Sequence, residues 1–178
     1  MAVYGLRPGE LRHLQLHPHP EGVQLWCSYQ KKAGGGQTKP RQLHALPVRD
    51  VDGTPQQWNL LGRLQLGESL PPLGAVGNAG DGLSVFLRRQ AVWHQLKAEA
   101  AAMGGELVAY SLRHRYSYEG HRLGLPAKVL SQAMGHSLEC HLRSYARFTS
   151  NEVAEAFAAV VGRGAGAQGQ ELLTTVVG

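Results

Sequence analysis

Cysteine is almost missing from this chain. Cys27 and Cys140 lack CxxC spacing and are too few to build a disulfide framework, which excludes a stapled secreted scaffold and a cysteine-built zinc site. Both thiols are expected to act as small buried hydrophobes in a reducing interior, and a cytoplasmic location follows as the expectation. Long apolar runs are missing too. No stretch approaches the roughly 18 residues of a membrane span, and the first residues show no basic region followed by an apolar one, so no membrane partner is expected. Acidic residues are fewer than basic ones, 13 against 18, leaving a net charge of +5. Arginine runs well ahead of lysine, a balance that suits a planar, bidentate partner such as phosphate and hints at nucleic acid, although a basic surface also keeps proteins soluble.

What is present suits one globular domain. The chain has 178 residues and 43% of them are hydrophobic, enough to bury a real core. Residues 11–17 (LRHLQLH), 23–29 (VQLWCSY) and 41–47 (RQLHALP) have the alternation of short strands, with HPHPEG and KKAGGGQTK as turns between them. A three-stranded antiparallel meander is the economical reading. From about Thr54 the period becomes helical, first in PQQWNLLGRLQL and then, after a Pro/Gly-rich connection, in one long segment from Leu83 to Met103. Phe86, Trp93, Leu96, Ala100 and Met103 share a face of that segment and are its expected core stripe. Further helices are expected in SLRHRYSYEGH, PAKVLSQAM and SLECHLRSYARF, and a last one over about 150–162 opens on Thr149-x-x-Glu152. GRGAGAQGQ (162–170) breaks the order, and residues 163–178 read as a flexible Gly-rich tail. The expected fold class is mixed α/β, mainly α with a small three-stranded antiparallel sheet.

Three separated segments carry the chemistry. They are YGLRPGELRHL (4–14), SLRHRYSYEGHRLGLPAKVLSQAMGHS (111–137) and the run from there to Tyr145, nine residues after His136. In this order they resemble the signature boxes of the tyrosine recombinases, the phage-integrase-like DNA strand-transfer enzymes. The resemblance covers roughly residues 3–148 and implies that family's DNA breaking-rejoining catalytic-domain fold over residues 1–162. The helices and the DNA-clamping domain that precede the first box in the family have no counterpart here, so an isolated or truncated catalytic domain is implied.

The resemblance implies roles residue by residue. Arg7 matches the first arginine, with Glu10 as the acidic residue that braces the site. Arg113 matches the second arginine, His136 the histidine of the GH box, and Tyr145 the nucleophile. A hairpin lysine is also implied, best matched by Lys39, with Lys32 and Lys31 as alternatives. Tyr110 stands where the family often has a histidine, and a positioning role on a phosphate oxygen is expected of it. The implied partner is double-stranded DNA, cleaved and rejoined through a 3′-phosphotyrosine, with self-association on DNA through the helix at 150–162. That amphipathic helix could equally complete the domain's own core.

Each residue also has a plainer reading. Arg7 and Glu10 could be a surface pair near a helix end, and Tyr145 a core aromatic with its hydroxyl outward. His13, His17, His19, His114, His121 and His141 raise the question of a metal, but without an HExxH pattern or clustered cysteines neither metal nor cofactor is expected. Two other functions fit parts of the pattern: a type IB topoisomerase with the same chemistry, and a non-catalytic DNA-binding remnant that keeps only the phosphate grip.

Overall fold

The computed structural model describes residues 1–145 apart from 31, 34, 35 and 51, and at 32, 33, 36 and 37 the backbone alone. The expected helix over 150–162, its capping box and the tail at 163–178 lie outside the described residues. Pro8 opens a 3-10 helix over Pro8–His13, a position where its missing N–H costs nothing. The chain then enters a sheet of β1 (Leu14–His19), β2 (Gly22–Cys27) and the short β5 (Arg41–Gln42), ordered β1-β2-β5 and antiparallel throughout. Leu14 faces Cys27 and Trp26 faces Gln42 across the two pairings. The meander is therefore present.

Its turns differ from the expectation. His17, Pro18 and His19 of the expected turn are strand, with Pro18 paired to Val23, because β1 lies at the sheet edge where a residue without N–H breaks no ladder; only Pro20 and Glu21 form the turn. Part of the KKAGGGQTK stretch pairs as a hairpin of β3 (Lys32–Ala33) and β4 (Gly36–Gln37) between β2 and β5. A further hairpin joins β6 (Val48–Arg49) to β7 (Pro55–Gln56). This last pairing takes residues that the helical period had claimed, and α1 (Leu60–Gln65) begins only after Asn59. Asn59 adopts a left-handed conformation and its side chain accepts from the Gly62 N–H, so the helix starts at its cap rather than at its first apolar residue.

The long helix expected from Leu83 to Met103 is two helices, α2 (Ala79–Arg88) and α3 (Ala91–Ala102), divided where Gln90 turns extended. Its single stripe is divided with it. Trp93 is 7% exposed, but Leu96 and Met103 are exposed, the latter 82%, and do not belong to the core. Three further helices follow: α4 (Ser111–Arg122), α5 (Ala127–Met134) and α6 (Leu138–Tyr145). Among the described residues no helix is long and apolar enough to cross a membrane.

Three apolar clusters hold these elements. Leu6, Leu25, Cys27 and Leu43 lie under the sheet; Leu73, Ala79, Leu83 and Ala109 join α2 to the start of α4; Tyr116, Leu130, Met134 and Tyr145 join α4, α5 and α6. Each fully buried aliphatic side chain among them is worth about 1.5–3 kcal/mol of transfer free energy. Cys27 is buried as expected, whereas Cys140 is exposed on α6 and is not a core residue. Gly120 lets α4 approach α5, since a Cβ there would stand 2.3 Å from Leu130 Cδ2.

Candidate active site

The site is built around one buried carboxylate. Glu10, on the 3-10 helix, has no exposed surface, and three guanidinium groups from three parts of the chain meet it. Arg7 Nη1 donates to Oε1 at 2.8 Å, Arg41 Nη2 donates to Oε2 at 3.0 Å, and Arg113 Nη1 stands 3.5 Å from Oε2. The Arg7 backbone N–H also donates to Oε2, at 2.8 Å. Burial acts to raise the Glu10 carboxyl, but Arg41, the Arg7 N–H and Arg113 outweigh it and hold the pKa below the ordinary carboxylate value. One negative charge against three positive leaves the hollow cationic.

Arg113 forms the floor. It is 0% exposed in the first turn of α4, on the stripe it shares with Tyr116, Ser117 and Gly120. Its Nη1 donates to the Gly5 carbonyl, and its Nη2 donates to the Met134 carbonyl at 2.8 Å and to His136 Nδ1 at 3.0 Å. These bonds fix the plane of the fork. Gly5 makes room for this packing with φ +62, and a Cβ on it would come within 2.7 Å of the Tyr116 ring. Arg7 forms the rim, its side chain 28% exposed. Its Nη1 also reaches the Gly135 carbonyl at 3.2 Å, and its guanidinium is hydrogen-bonded to the Tyr110 phenol. Tyr110 is 38% exposed, beside the open side of the hollow, with its ring edge against His114 at 5.1 Å.

Gly135 ends α5 in the left-handed conformation, with φ 67 and ψ 51. The Arg41 guanidinium packs on it so closely that a Cβ would meet Nη1 at 2.5 Å, while Arg41 Nε donates to the Ala133 carbonyl at 2.9 Å. The glycine thus serves twice, turning the chain into His136 and admitting Arg41. Burial first, then the positive charge of Arg113, pushes His136 down to about 3, so the ring is neutral at neutral pH. Helix α6 follows and buries two residues four apart on one face, His141 and Tyr145. Tyr145 is 2% exposed, its ring stacked on His136 at 5.8 Å and tilted against His141 at 4.8 Å. Burial raises its phenol pKa against the opposing charge of Arg113, which is hydrogen-bonded to it.

Arg7, Tyr110, Arg113, His136 and Tyr145 are therefore brought together, with Glu10 bracing the two arginines. Lys39 is not: it is exposed on the segment leading into β5, with no hydrogen bond or ion pair to these groups among the described residues. Lys31 lies outside the described residues, and of Lys32 the backbone sits in β3. Sequence reasoning missed Arg41, which nothing in its local pattern distinguishes from any strand arginine. It also gave no site role to His141, although a spacing of four from Tyr145 on one helix was a usable signal.

No family model matches the chain, and no solved structure matches it. A curated protein does. The chain is 24% identical over 157 residues to Excisase A of Nostoc sp. (strain PCC 7120), an alignment that takes in 84% of this chain and 30% of that protein. The chain thus spans about a third of the length of the relative it matches.

Proposed function

We propose that this chain is a DNA recombination domain of the tyrosine recombinase type, which cleaves a DNA strand by attack of the Tyr145 phenol and rejoins it by the reverse step. The observation that carries the reading is the grouping of Tyr145, Arg113, Arg7 and His136 around a cationic hollow, from segments as far apart in sequence as residues 7 and 145. The similarity to a protein named Excisase A agrees with a role in DNA recombination. A phosphodiester carries one negative charge, and its two non-bridging oxygens call for rigid, charge-assisted donors; arginine forks supply them where lysine cannot.

The chemistry follows from the side chains. Arg7, at the rim, meets the phosphate first, with the Tyr110 phenol beside it as a further donor. Arg113 lies beneath, bonded to both His136 and Tyr145, where its fork can hold a phosphate oxygen beside the phenol. The phenol oxygen bonds to phosphorus, the bond from phosphorus to the 5′-oxygen breaks, and the energy of the diester is kept in the 3′-phosphotyrosine. The departing 5′-oxygen takes up a proton, for which Lys39 on the segment before β5 is the candidate donor, and the phenol must lose one. Incoming phosphate offsets the positive charge that lowers His136, so the substrate itself makes that ring a better proton acceptor. In the structure as described Tyr145 is buried, so the phosphate reaches it only when bound DNA displaces what covers the phenol.

Covalent trapping tests the proposal. Nicked duplexes of randomised sequence, which lose a short leaving fragment after cleavage, should accumulate a protein–DNA adduct that survives denaturation. Tyr145→Phe removes one hydroxyl, so it should bind the same duplexes and form no adduct. Binding without an adduct from the unaltered chain would favour the non-catalytic DNA-binding reading.

A further inference from the structure

The phenol proton must leave a pocket in which Tyr145 is 2% exposed, and a line of three histidines runs out of it. His136 Nε2 lies 2.9 Å from His141 Nδ1, and His141 Nε2 lies 3.0 Å from His121 Nε2. His141 is fully buried, and His121, near the end of α4, is half-buried. The rings run in a line rather than converging on one point, and no group of three metal-ligating side chains is assembled among the described residues.

The order of protons along this line is fixed from one end. Guanidinium has donors and no acceptor, so its bond to His136 Nδ1 requires that nitrogen to be bare. A neutral His136 then carries its proton on Nε2 and donates it to His141 Nδ1. His141 in turn must carry its own proton on Nε2 and donate to His121 Nε2, which leaves His121 protonated on Nδ1.

We propose that His136, His141 and His121 form a proton relay between the Tyr145 hydroxyl and solvent; this rests on the reading of Tyr145 as the nucleophile. When the phenol attacks, its proton goes to His136 Nδ1, which Arg113 releases as it turns to the phosphate. His136 passes its Nε2 proton to His141, His141 passes its own to His121 Nε2, and His121 gives its Nδ1 proton to water. One proton enters and one leaves, and every ring ends in the opposite tautomer. Rejoining regenerates the phenol and runs the relay backward, restoring the starting tautomers. Burial, with the charge of Arg113 and of the neighbouring rings, holds His136 near 3 and His141 near 4, so an excess proton rests on neither and is passed on.

The test uses the whole chain and the same nicked duplexes in single-turnover reactions. In His141→Gln the amide oxygen can accept from His136 and the amide nitrogen can donate to His121, so packing is kept while transfer is lost. Adduct formation should fall by a factor on the order of 10² while DNA affinity holds. His121→Ala should also slow, and imidazole in the buffer should restore its rate in proportion to the free base, a response that a merely structural histidine would not give. Unaltered rates in both variants, or no rescue by imidazole, would overturn the relay while leaving Tyr145 as the nucleophile. Should His141→Gln fail to fold, the His121→Ala arm decides. Absence of any adduct from the unaltered chain counts instead against the nucleophile, and the relay is then judged by its tautomers. Nitrogen-15 NMR finding Nε2–H on His136 and His141 and Nδ1–H on His121 supports it, and Nδ1–H on His136 overturns it.

Discussion

Glu10 is the residue on which the site's geometry turns. Without its charge, Arg7, Arg41 and Arg113 would repel one another in a space where water screens little. Its carboxyl is held below the usual range by partners that outweigh burial, whereas burial and nearby positive charge depress His136 to about 3 and His141 to about 4. The two effects act in the same direction on stability. A depressed histidine binds fewer protons folded than unfolded, so stability rises with pH across the window from the folded value to the ordinary 6.5 and is lost as pH falls through it. A depressed carboxylate contributes stability that is present above its unfolded pKa of about 4.5 and lost as pH falls through the lower folded value. Urea melts should therefore show stability declining steadily from about pH 6.5 toward 3, and His136→Gln should flatten the upper part of that decline. A chain equally stable at pH 7 and pH 4 would contradict the burial and charge assigned to these groups.

Helices α4, α5 and α6 hold the site in register, and their contact is set by a residue with no side chain. Alanine at position 120 would gain about 1 kcal/mol in helix propensity. Its Cβ, however, would press on Leu130 Cδ2 at 2.3 Å, Cδ1 at 3.0 Å and Cγ at 3.2 Å, in a side chain that is fully buried and has nowhere to swing. Overpacking of this kind costs about 1–3 kcal/mol, so Gly120→Ala should lower the melting temperature and the adduct yield together. A raised melting temperature would show that the two helices are not in close contact. Gly120 also shows why parts of the site were hard to read from sequence. The buried stripe of α4 is Arg113, Tyr116, Ser117 and Gly120, a helical period written largely in polar residues, which an apolar template passes over. The opposite error occurred at Leu83–Met103, where a continuous apolar period concealed the extended Gln90 between α2 and α3. Periodicity sees which residues are apolar, not which backbone hydrogen bonds are broken.

Across the whole molecule, motif order carried more than periodicity did. The GLRPGE, LRH and GHS segments and the tyrosine beyond them are far apart in sequence, yet the fold gathers Arg7, Arg113, His136 and Tyr145 within one hydrogen-bonded group. The strands of the three-stranded sheet were legible because turn residues separate them, as at Pro20 and Glu21, and because the alternation of β2 survives in its half-buried face, whereas the two-residue strands β3, β4, β6 and β7 were not. Arg41 and His121 were not legible, since each acts only through residues brought to it by the tertiary structure: Glu10 for the first, His141 for the second. The proposed function stands or falls on one covalent event, the uptake of a DNA 3′-phosphate by Tyr145. Its most direct test is to digest the trapped protein–DNA complex with protease and nuclease and to locate the nucleotide-bearing peptide by mass spectrometry. The expected product is a phosphodiester-linked 3′-nucleotide on the tyrosine of the peptide that contains Tyr145; a nucleotide on Tyr110, Tyr116 or Tyr118, or on no tyrosine at all, would rule out Tyr145 as the nucleophile.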